Sequence, residues 1–411
     1  PGSQIDREAR KRGTSVYLVD KVIPMLPEQL SNGVCSLVPG EDRLAFSVFL
    51  TFNAAGTMVA RRFARSKIRS SHRFTYEQVQ EVIDGTEAAS NVGTKEVRDL
   101  ILKLHKLAQR LRRNRFNRFA LDISSPEMEI EVDNNGMMTG VHPSVHTTSH
   151  ELVEEAMVIA NEAVAIEVSN YQVPFISRYH EQPSEEKISE LAVALVSLGL
   201  EPGNLMEQGN ITKPLKETCG TTLEYYVSML VLKSMKRAEY SVDNAGHYGL
   251  SKKFYSHFTS PIRRYPDLVM HRELAALLSG RKANVPGREE LSAVAVSSTE
   301  LEFRAEQASR DLIEIKKYRF LEQQIDDGKP LEYEAVVVSV VEFGVFVELP
   351  ELQVGGLIHI SQISNRFARY NPRESYSTAK GASVEAGNKL RVRVSGVDFV
   401  ERKIDFTFLG T

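Results

Sequence analysis

Residues 256–272 read SHFTSPIRRYPDLVMHR, a stretch too dense in polar and charged groups to be a core segment. Two adjacent arginines, Arg263 and Arg264, follow closely after Pro261. Because proline restrains the residue before it to extended conformations, we expect a helix to start near Pro261. The free N–H groups at a helix start bind anions, and guanidinium groups fit phosphate oxygens. The stretch therefore predicts a phosphate site at which one arginine acts, with a structural ion pair as the alternative role.

The composition of the whole sequence is that of an ordinary globular protein. Its 411 residues are 42% hydrophobic and 26% charged, and the length suits two or three domains. We expect neither membrane insertion nor secretion, because no apolar run is long enough and no leader pattern is seen. Cys35 and Cys219 lack CxxC spacing, which favours a reducing cytoplasm over a disulfide framework or a zinc site.

Charge is distributed unevenly along the chain. The net charge of −3 argues against a uniformly basic nucleic-acid binder. Residues 61–73 nevertheless hold six Arg or Lys and no acid, and residues 106–119 hold six more and no acid. A solvated helix face or strand edge explains either run alone. Two such runs with interleaved phenylalanines favour an anionic partner such as RNA.

Hydrophobic periodicity predicts an α+β chain. Alternation predicts hairpins over 44–64 and 127–141. Helical spacing predicts helices over 75–84, which opens with Thr75, and over 94–113, 149–169, 184–199, 222–239 and 264–279, with Ser149 as a cap. A change of composition at 281–288 precedes one long helix over 288–326. From residue 331, short strands predict a small closed barrel of five strands.

The barrel segment carries aromatic residues at strand positions. EFGVFVEL at 342–349 and GLIHIS at 356–361 resemble the S1 RNA-binding domain, a variety of OB-fold. Unpaired bases stack on such rings, each stack worth roughly 1–3 kcal/mol. We expect Phe343 and His359 on the surface, whereas core and surface both remain open for Phe346. Further RNA contacts are expected from Arg366, Arg369, Tyr370, Arg391 and Arg393.

HFTSPIRRYPDL at 257–268 resembles a hallmark of the ribonuclease II / ribonuclease R family, the RNB exoribonucleases, and bacterial ribonuclease R members most of all. Other motifs resemble the family in the same order along nearly the whole chain: DREARKRGTSVYLVDKVIPMLPEQLSNGVCSL at 6–37, SSHRFTYEQV at 70–79, ELVEEAMVIAN at 151–161, GHYGL at 246–250 and KIDF at 403–406. The resemblance implies an RNB-type catalytic domain of mixed sheets and surrounding helices over 1–282, a helical connector over 283–329 and an S1 domain over 330–411.

The resemblance also implies a function: a processive, Mg²⁺-dependent 3′→5′ exoribonuclease that hydrolyses single-stranded RNA from a free 3′ end to nucleoside 5′-monophosphates. Tyr17 matches the tyrosine that packs on the terminal nucleotide. Tyr76 and Glu154 match a pair implicated in recognising ribose, and a phenol and a carboxylate suit a 2′-hydroxyl. Arg263 matches the arginine beside the scissile phosphate, where it would stabilise developing charge. Arg264 is a further RNA contact, with a structural role as its alternative.

The chain departs from the family pattern in two respects. Ile123 stands where the family tends to have a second stacking ring, so the grip on RNA would be looser unless Phe119 substitutes. The family's aspartate run, which holds magnesium, is expected upstream of Pro1. We therefore expect no metal ligands in this sequence, which would be the later part of a longer polypeptide and inactive alone.

Two other functions remain as alternatives. A non-catalytic RNB-like regulator would bind RNA without cleaving it, and the aspartate run would decide between regulator and nuclease. A structural or translation-linked OB-fold protein explains only residues 331–411. For the nuclease, the family resemblance further implies a cytoplasmic monomer that does not contact membranes.

Overall fold

The structure is a computed structural model, and it describes residues 1–121, 128–221, 223–243, 246–328, 331–363, 369–371, 375–377, 383–385 and 387–410. The chain forms two compact units that alternate along the sequence. The first unit contains Pro1–Val16, Ile23–Ser125 and Val145–Ala305. The second contains Tyr17–Val22, Pro126–Ser144 and Glu306–Thr411.

Helices dominate the first unit. They are α1 Gln4–Arg12, α2 Tyr76–Asp84, α3 Lys95–Phe116, α4 Thr148–Asn170, α5 Glu185–Ser197, α6 Gln208–Thr218, α7 Glu224–Ser234 and α8 Tyr265–Leu278. Short helical turns occur at Gln29–Val34, Glu87–Asn91 and Lys282–Asn284. The long helix α9, Arg288–Asp326, begins in this unit and ends in the second one.

In the described part of the chain, four small two-stranded sheets accompany the helices. They are β1 Val16–Tyr17 with β2 Val22–Ile23, β3 Asp42–Phe52 with β4 Met58–Arg69, β5 Met128–Val132 with β6 Met138–Pro143, and β7 Ser177–Tyr179 with β8 Glu239–Ser241. Two of them, the β3–β4 and β5–β6 hairpins, confirm the predicted hairpins. The β5–β6 hairpin belongs to the second unit.

The second unit contains a closed five-stranded barrel, and the mixture of helices and sheets confirms the α+β class. The barrel strands are β9 Glu332–Val341, β10 Gly344–Leu349, β11 Val354–His359, β15 Lys389–Asp398 and β16 Lys403–Gly410, in the order β10-β11-β16-β15-β9. The remaining elements are the short helix α10 Ile360–Ile363 and a sheet of β12 Arg369–Asn371, β13 Ser375–Ser377 and β14 Ser383–Glu385. Alternate barrel residues such as Val345, Val347 and Leu349 point into a buried apolar core.

Helix caps explain where several predictions succeed or fail. Thr75, the first residue of the predicted helix, is the N-cap of α2, and Gln78 completes a capping box. The predicted cap Ser149 is wrong: Thr147 caps α4, and Ser149 lies buried inside its first turn. Among the described residues, three α-helices were not predicted, namely α1, α6 and the four-residue α10. The short helix α1 buries only Ala9, and α6 contains a proline, so neither shows a clear apolar period.

Candidate active site

Pro261 begins a turn rather than a helix. The N–H groups of Arg263 and Arg264 donate to the carbonyl of Ser260 (3.2 and 3.0 Å), and α8 starts one residue after Arg264. The N–H of Ser260 in turn donates to Asp267 Oδ1 (2.8 Å). The predicted helix start at Pro261 is therefore wrong. The predicted binding of an anion by the N–H groups at this position is wrong as well, because the Asp267 carboxylate already accepts the Ser260 N–H.

Arg264 is held by an ion pair inside the protein. Its Nε and Nη2 atoms donate to the two carboxylate oxygens of Asp267, and both donor–acceptor distances are 2.8 Å. The Asp267 side chain is 0% exposed and that of Arg264 is 15% exposed. Burial opposes the charge of Arg264, but the attraction of Asp267 outweighs it and raises the pKa of Arg264. The arrangement is the structural ion pair that the sequence left as an alternative, and an RNA contact by Arg264 stays a prediction.

Arg263 has the opposite environment. Its backbone is fixed, because its carbonyl accepts hydrogen bonds from the Ser15 N–H (2.9 Å) and the Thr14 hydroxyl (3.1 Å). Its side chain is exposed and has no hydrogen-bond or ion-pair partner within the described ranges. The guanidinium group is therefore carried on a rigid backbone and can reach an anionic ligand.

The structure brings Tyr76 close to the helix that carries Glu154. Tyr76 is the first residue of α2, and its ring stacks on His150 of α4 with a centroid separation of 3.8 Å and an interplanar angle of 17°. His150 precedes Glu154 by one helical turn, so the two share a face of α4. The Ser149 N–H donates to Gln80 Oε1 (3.0 Å), which ties α2 to α4 at this point. Tyr76 remains 42% exposed, as a ligand contact requires.

Glu154 belongs to a charged cluster between α3 and α4. Arg115 Nη2 donates to Glu154 Oε1 (3.1 Å) and to Glu155 Oε1 (2.5 Å). Burial raises the pKa of Glu155, and the Arg115 charge opposes that rise. Arg115 belongs to the basic run over residues 106–119, yet this residue is buried. The two glutamates that orient it lie 39 and 40 residues further along the chain.

The loop before Arg263 is anchored to α4 by Asn161. The Asn161 side chain donates to the Tyr255 hydroxyl (3.1 Å) and accepts the Phe258 N–H (2.9 Å). Between these residues, His257 Nδ1 pairs with the hydroxyl of Tyr240 (2.9 Å). Burial lowers the pKa of His257 well below its usual value, so the loop carries a neutral imidazole at neutral pH. In the sequence, this anchor is indicated only by Asn161 itself, a polar residue within the apolar run of α4.

Tyr17 belongs to the second unit, whereas the groups above belong to the first. It lies on β1, its side chain is 50% exposed, and its carbonyl accepts a hydrogen bond from the Ser309 hydroxyl (2.8 Å). Its predicted contact with the terminal nucleotide stays a prediction. Ile123, at the second stacking position, lies outside the described residues, and the alternative ring of Phe119 is exposed at the end of α3.

Three of the predicted RNA contacts lie together on the barrel surface. Phe343 and Phe346 form an edge-to-face pair (6.0 Å, 87°), and His359 lies opposite Gly344 in the pairing of β10 with β11. Phe346 is 38% exposed, so the open choice between core and surface is resolved towards the surface. Of the other predicted contacts, Arg366 lies outside the described residues. The side chain of Tyr370 on β12 also lies outside them.

The described residues also bear on metal binding and on membrane-spanning helices. Among the described residues, no three His, Cys, Asp or Glu side chains are grouped so that they could hold a metal ion. These residues therefore do not fit a magnesium site by themselves. None of the helices in the described part of the chain has the length and hydropathy that a bilayer-spanning helix needs.

Comparison with known proteins extends these observations. The family model for the RNB domain matches residues 1–280, and that for the S1 RNA binding domain matches residues 330–408. Ribonuclease R of Thermotoga maritima is 37% identical over 99% of this chain and 58% of its own length. Ribonuclease R of Escherichia coli is 33% identical over 100% of this chain and 52% of its own length. The structure of Mycoplasma genitalium RNase R in complex with ribose methylated single-stranded RNA matches with a TM-score of 0.88 and 28% identity, covering 100% of this chain and 64% of that one.

An RNB domain followed by an S1 barrel defines a class of RNA-processing proteins. The chain belongs to the ribonuclease II / ribonuclease R family. It spans little more than half the length of the two ribonuclease R relatives.

Proposed function

We propose that the whole protein is a processive, Mg²⁺-dependent 3′→5′ exoribonuclease that acts in the cytoplasm as a monomer. It would hydrolyse single-stranded RNA from a free 3′ end and release nucleoside 5′-monophosphates. Membership of the family and the similarity to ribonuclease R support RNA as the substrate. One solved relative is bound to single-stranded RNA in one structure and to double-stranded RNA in another, so the choice of a single-stranded substrate rests on the family resemblance.

The observation that carries the proposal is the different environment of two adjacent arginines. Arg264 is neutralised by Asp267, whereas Arg263 projects from the same turn with no partner in the described structure. A guanidinium group with free donors fits two oxygens of a phosphate. Arg263 would therefore stabilise the negative charge that develops on the scissile phosphate during hydrolysis.

The remaining site residues would hold the substrate. Tyr76 and Glu154 would contact the 2′-hydroxyl, which can donate to the carboxylate and accept from the phenol. Tyr17 would pack on the terminal base, because an exposed ring stacks on any base without reading its identity. On the barrel, Phe343 and Phe346 would stack on bases further along the strand, beside His359.

When bound, a magnesium ion would supply stabilisation of the charge that develops during hydrolysis. Since the described residues hold no group of three suitable ligands, the roles assigned above are limited to charge stabilisation and substrate binding by side chains.

The test is Arg263→Lys in the whole protein, with 5′-labelled single-stranded RNA and Mg²⁺. Lysine keeps the charge but loses the planar fork, so we expect turnover to fall by about 10²-fold. Affinity for RNA should change only a few-fold, because ground-state contacts elsewhere remain. Arg281→Lys, an exposed arginine just after α8, is the matched control and should retain wild-type turnover.

Two outcomes would contradict the proposal. Equal losses of turnover and affinity would assign Arg263 to binding alone. RNA binding by the wild-type protein without release of mononucleotides would favour the non-catalytic regulator instead.

A further inference from the structure

The basic residues of α3 point in two opposite directions. On one side, Arg112 pairs with Glu151 (3.1 Å) and Arg115 with Glu155 (2.5 Å), so both arginines face α4. These two side chains hold the helices together and are already neutralised.

On the other side, α3 presents a row of exposed cations. Lys103, Lys106, Arg110 and Arg113 follow one another at intervals of three or four residues and are all exposed. Such intervals confine them to an arc of about 80° on the helix surface. Arg110 donates to the carbonyl of Ala54 (2.6 Å). Across the described residues, Lys103, Lys106 and Arg113 have no hydrogen-bond or ion-pair partner.

The surroundings of this row favour a strand of phosphates as the partner. The sequence from residue 100 to residue 121 contains no acid that could neutralise the row. Each interval spans about 4.5–6 Å along the helix axis, so the row extends over about 15 Å, a spacing that suits successive phosphates of one strand. A membrane-surface helix would need a free apolar face. In α3, Ile101 and Ala108 are buried, whereas Leu100 and Leu104 are exposed, so the choice of RNA rests on the spacing of the cations and on the proposed function.

We propose that Lys103, Lys106 and Arg113 form a phosphate track that binds the RNA strand outside the active site. This inference rests on the proposed function, because RNA is the substrate that would follow the track. The row lies on the side of α3 opposite to Arg115, which contacts the α4 residues Glu154 and Glu155. The track therefore adds affinity for longer RNA without changing the contacts of the terminal nucleotides, and it reads no sequence.

The test uses the 411-residue chain and a triple variant, Lys103→Gln/Lys106→Gln/Arg113→Gln. A control removes three exposed lysines of the same unit that are already paired with acids, Lys187→Gln/Lys213→Gln/Lys236→Gln. The probes are fluorescein-labelled oligoadenylates of about 5 and about 25 nucleotides, a contrast between short and long occupancy. Dissociation constants are measured between about 50 and 200 mM KCl, and thermal melts verify that each variant folds.

We expect the triple variant to bind the long RNA about 10- to 100-fold more weakly at the lowest salt. Its slope of log affinity against log salt should fall by about 2, since each lost phosphate contact removes about 0.7. Binding of the short RNA should stay at the wild-type level, and the control should match wild type for both probes.

Three results would overturn the phosphate track. They are a wild-type slope in the triple variant, an equal loss for the short RNA, and an equal loss in the control variant. In each of them the wild-type chain still binds RNA, so the proposed function stands. If the wild-type chain binds neither RNA, both proposals fail together.

Discussion

At the scale of single residues, Glu273 on α8 is unusual because it is buried without a partner. It is 1% exposed, and no hydrogen-bond partner is found for either carboxyl oxygen in the described structure. The loss of water raises the pKa of Glu273 from 4.5 to about 8. The group is therefore protonated in the folded protein at neutral pH, whereas the unfolded chain exposes it as a carboxylate.

We predict that Glu273→Gln removes a pH-dependent destabilisation. As pH rises from 4.5 to about 8, the unfolded chain loses the proton and the folded chain retains it. The free energy of unfolding from this group therefore falls with rising pH, by about 1.4 kcal/mol per pH unit. The variant should gain stability over wild type as pH increases, and urea unfolding at about pH 5 and about pH 8 measures the gain.

Glu201→Gln, at an exposed position of the same unit, serves as the control. Its free energy of unfolding should change between the two pH values by the same amount as that of wild type. If the free energy of unfolding of Glu273→Gln also changes with pH as that of wild type does, the carboxyl group is ionised in the folded state and the prediction is wrong.

Residue type alone does not decide which of two neighbouring arginines is available to a ligand. Arg263 and Arg264 are chemically identical neighbours, and the sequence predicted that their roles would differ. The choice between them depends on Asp267, whose carboxylate accepts from Arg264 and from the Ser260 N–H. Side-chain direction and burial, rather than spacing, leave Arg263 exposed.

At the scale of elements, the β10–β11 hairpin depends on a glycine. A Cβ on Gly344 would lie 2.4 Å from the carbonyl oxygen of Ile358 on the facing strand. This close approach lets β10 begin directly after Phe343, opposite His359.

We predict that Gly344→Ala destabilises the barrel by about 1–3 kcal/mol, since the backbone must shift to admit a methyl group. Hydrogen exchange of β10 and β11 amides measures the loss, and affinity for RNA should fall as the aromatic surface is displaced. Gly355→Ala is the matched control, because its Cβ would meet the Val347 carbonyl at an ordinary 3.7 Å. Equal protection factors in the two variants would contradict the steric argument.

Helix predictions were most accurate where local chemistry marks both ends. Residues 288–326 were predicted as one helix, and α9 has these bounds. The predicted helix over 222–239 ends early, at Ser234, because the chain turns into β8. Pairing of β8 with β7 involves residues about sixty positions earlier, which no local pattern contains.

At the scale of the whole molecule, substrate binding and catalysis depend on different groups. The chain has cations and rings that suit RNA, but its described residues include no group of three metal ligands. We predict that the 411-residue chain binds single-stranded RNA through these cations and rings, and product release in the presence of Mg²⁺ is measured beside binding. Fluorescence anisotropy and thin-layer analysis of labelled products measure the two properties on one preparation.

Ribonuclease R of Escherichia coli, a longer relative, is the positive control for product release. Absence of RNA binding by the 411-residue chain would contradict the prediction.

The sequence by itself determined the family, the α+β class, most helices and hairpins, and the five-stranded barrel. These features depend on capping residues, apolar periods and contiguous motifs, which are local. Only the tertiary structure decided which charges are neutralised, as with Arg115 against Glu155, and which are exposed, as on the outer side of α3. It also replaced the expected helix start at Pro261 with a turn closed by Asp267. Hydrogen bonds and burial depend on contacts between distant segments, so a pattern of neighbouring residues does not contain them.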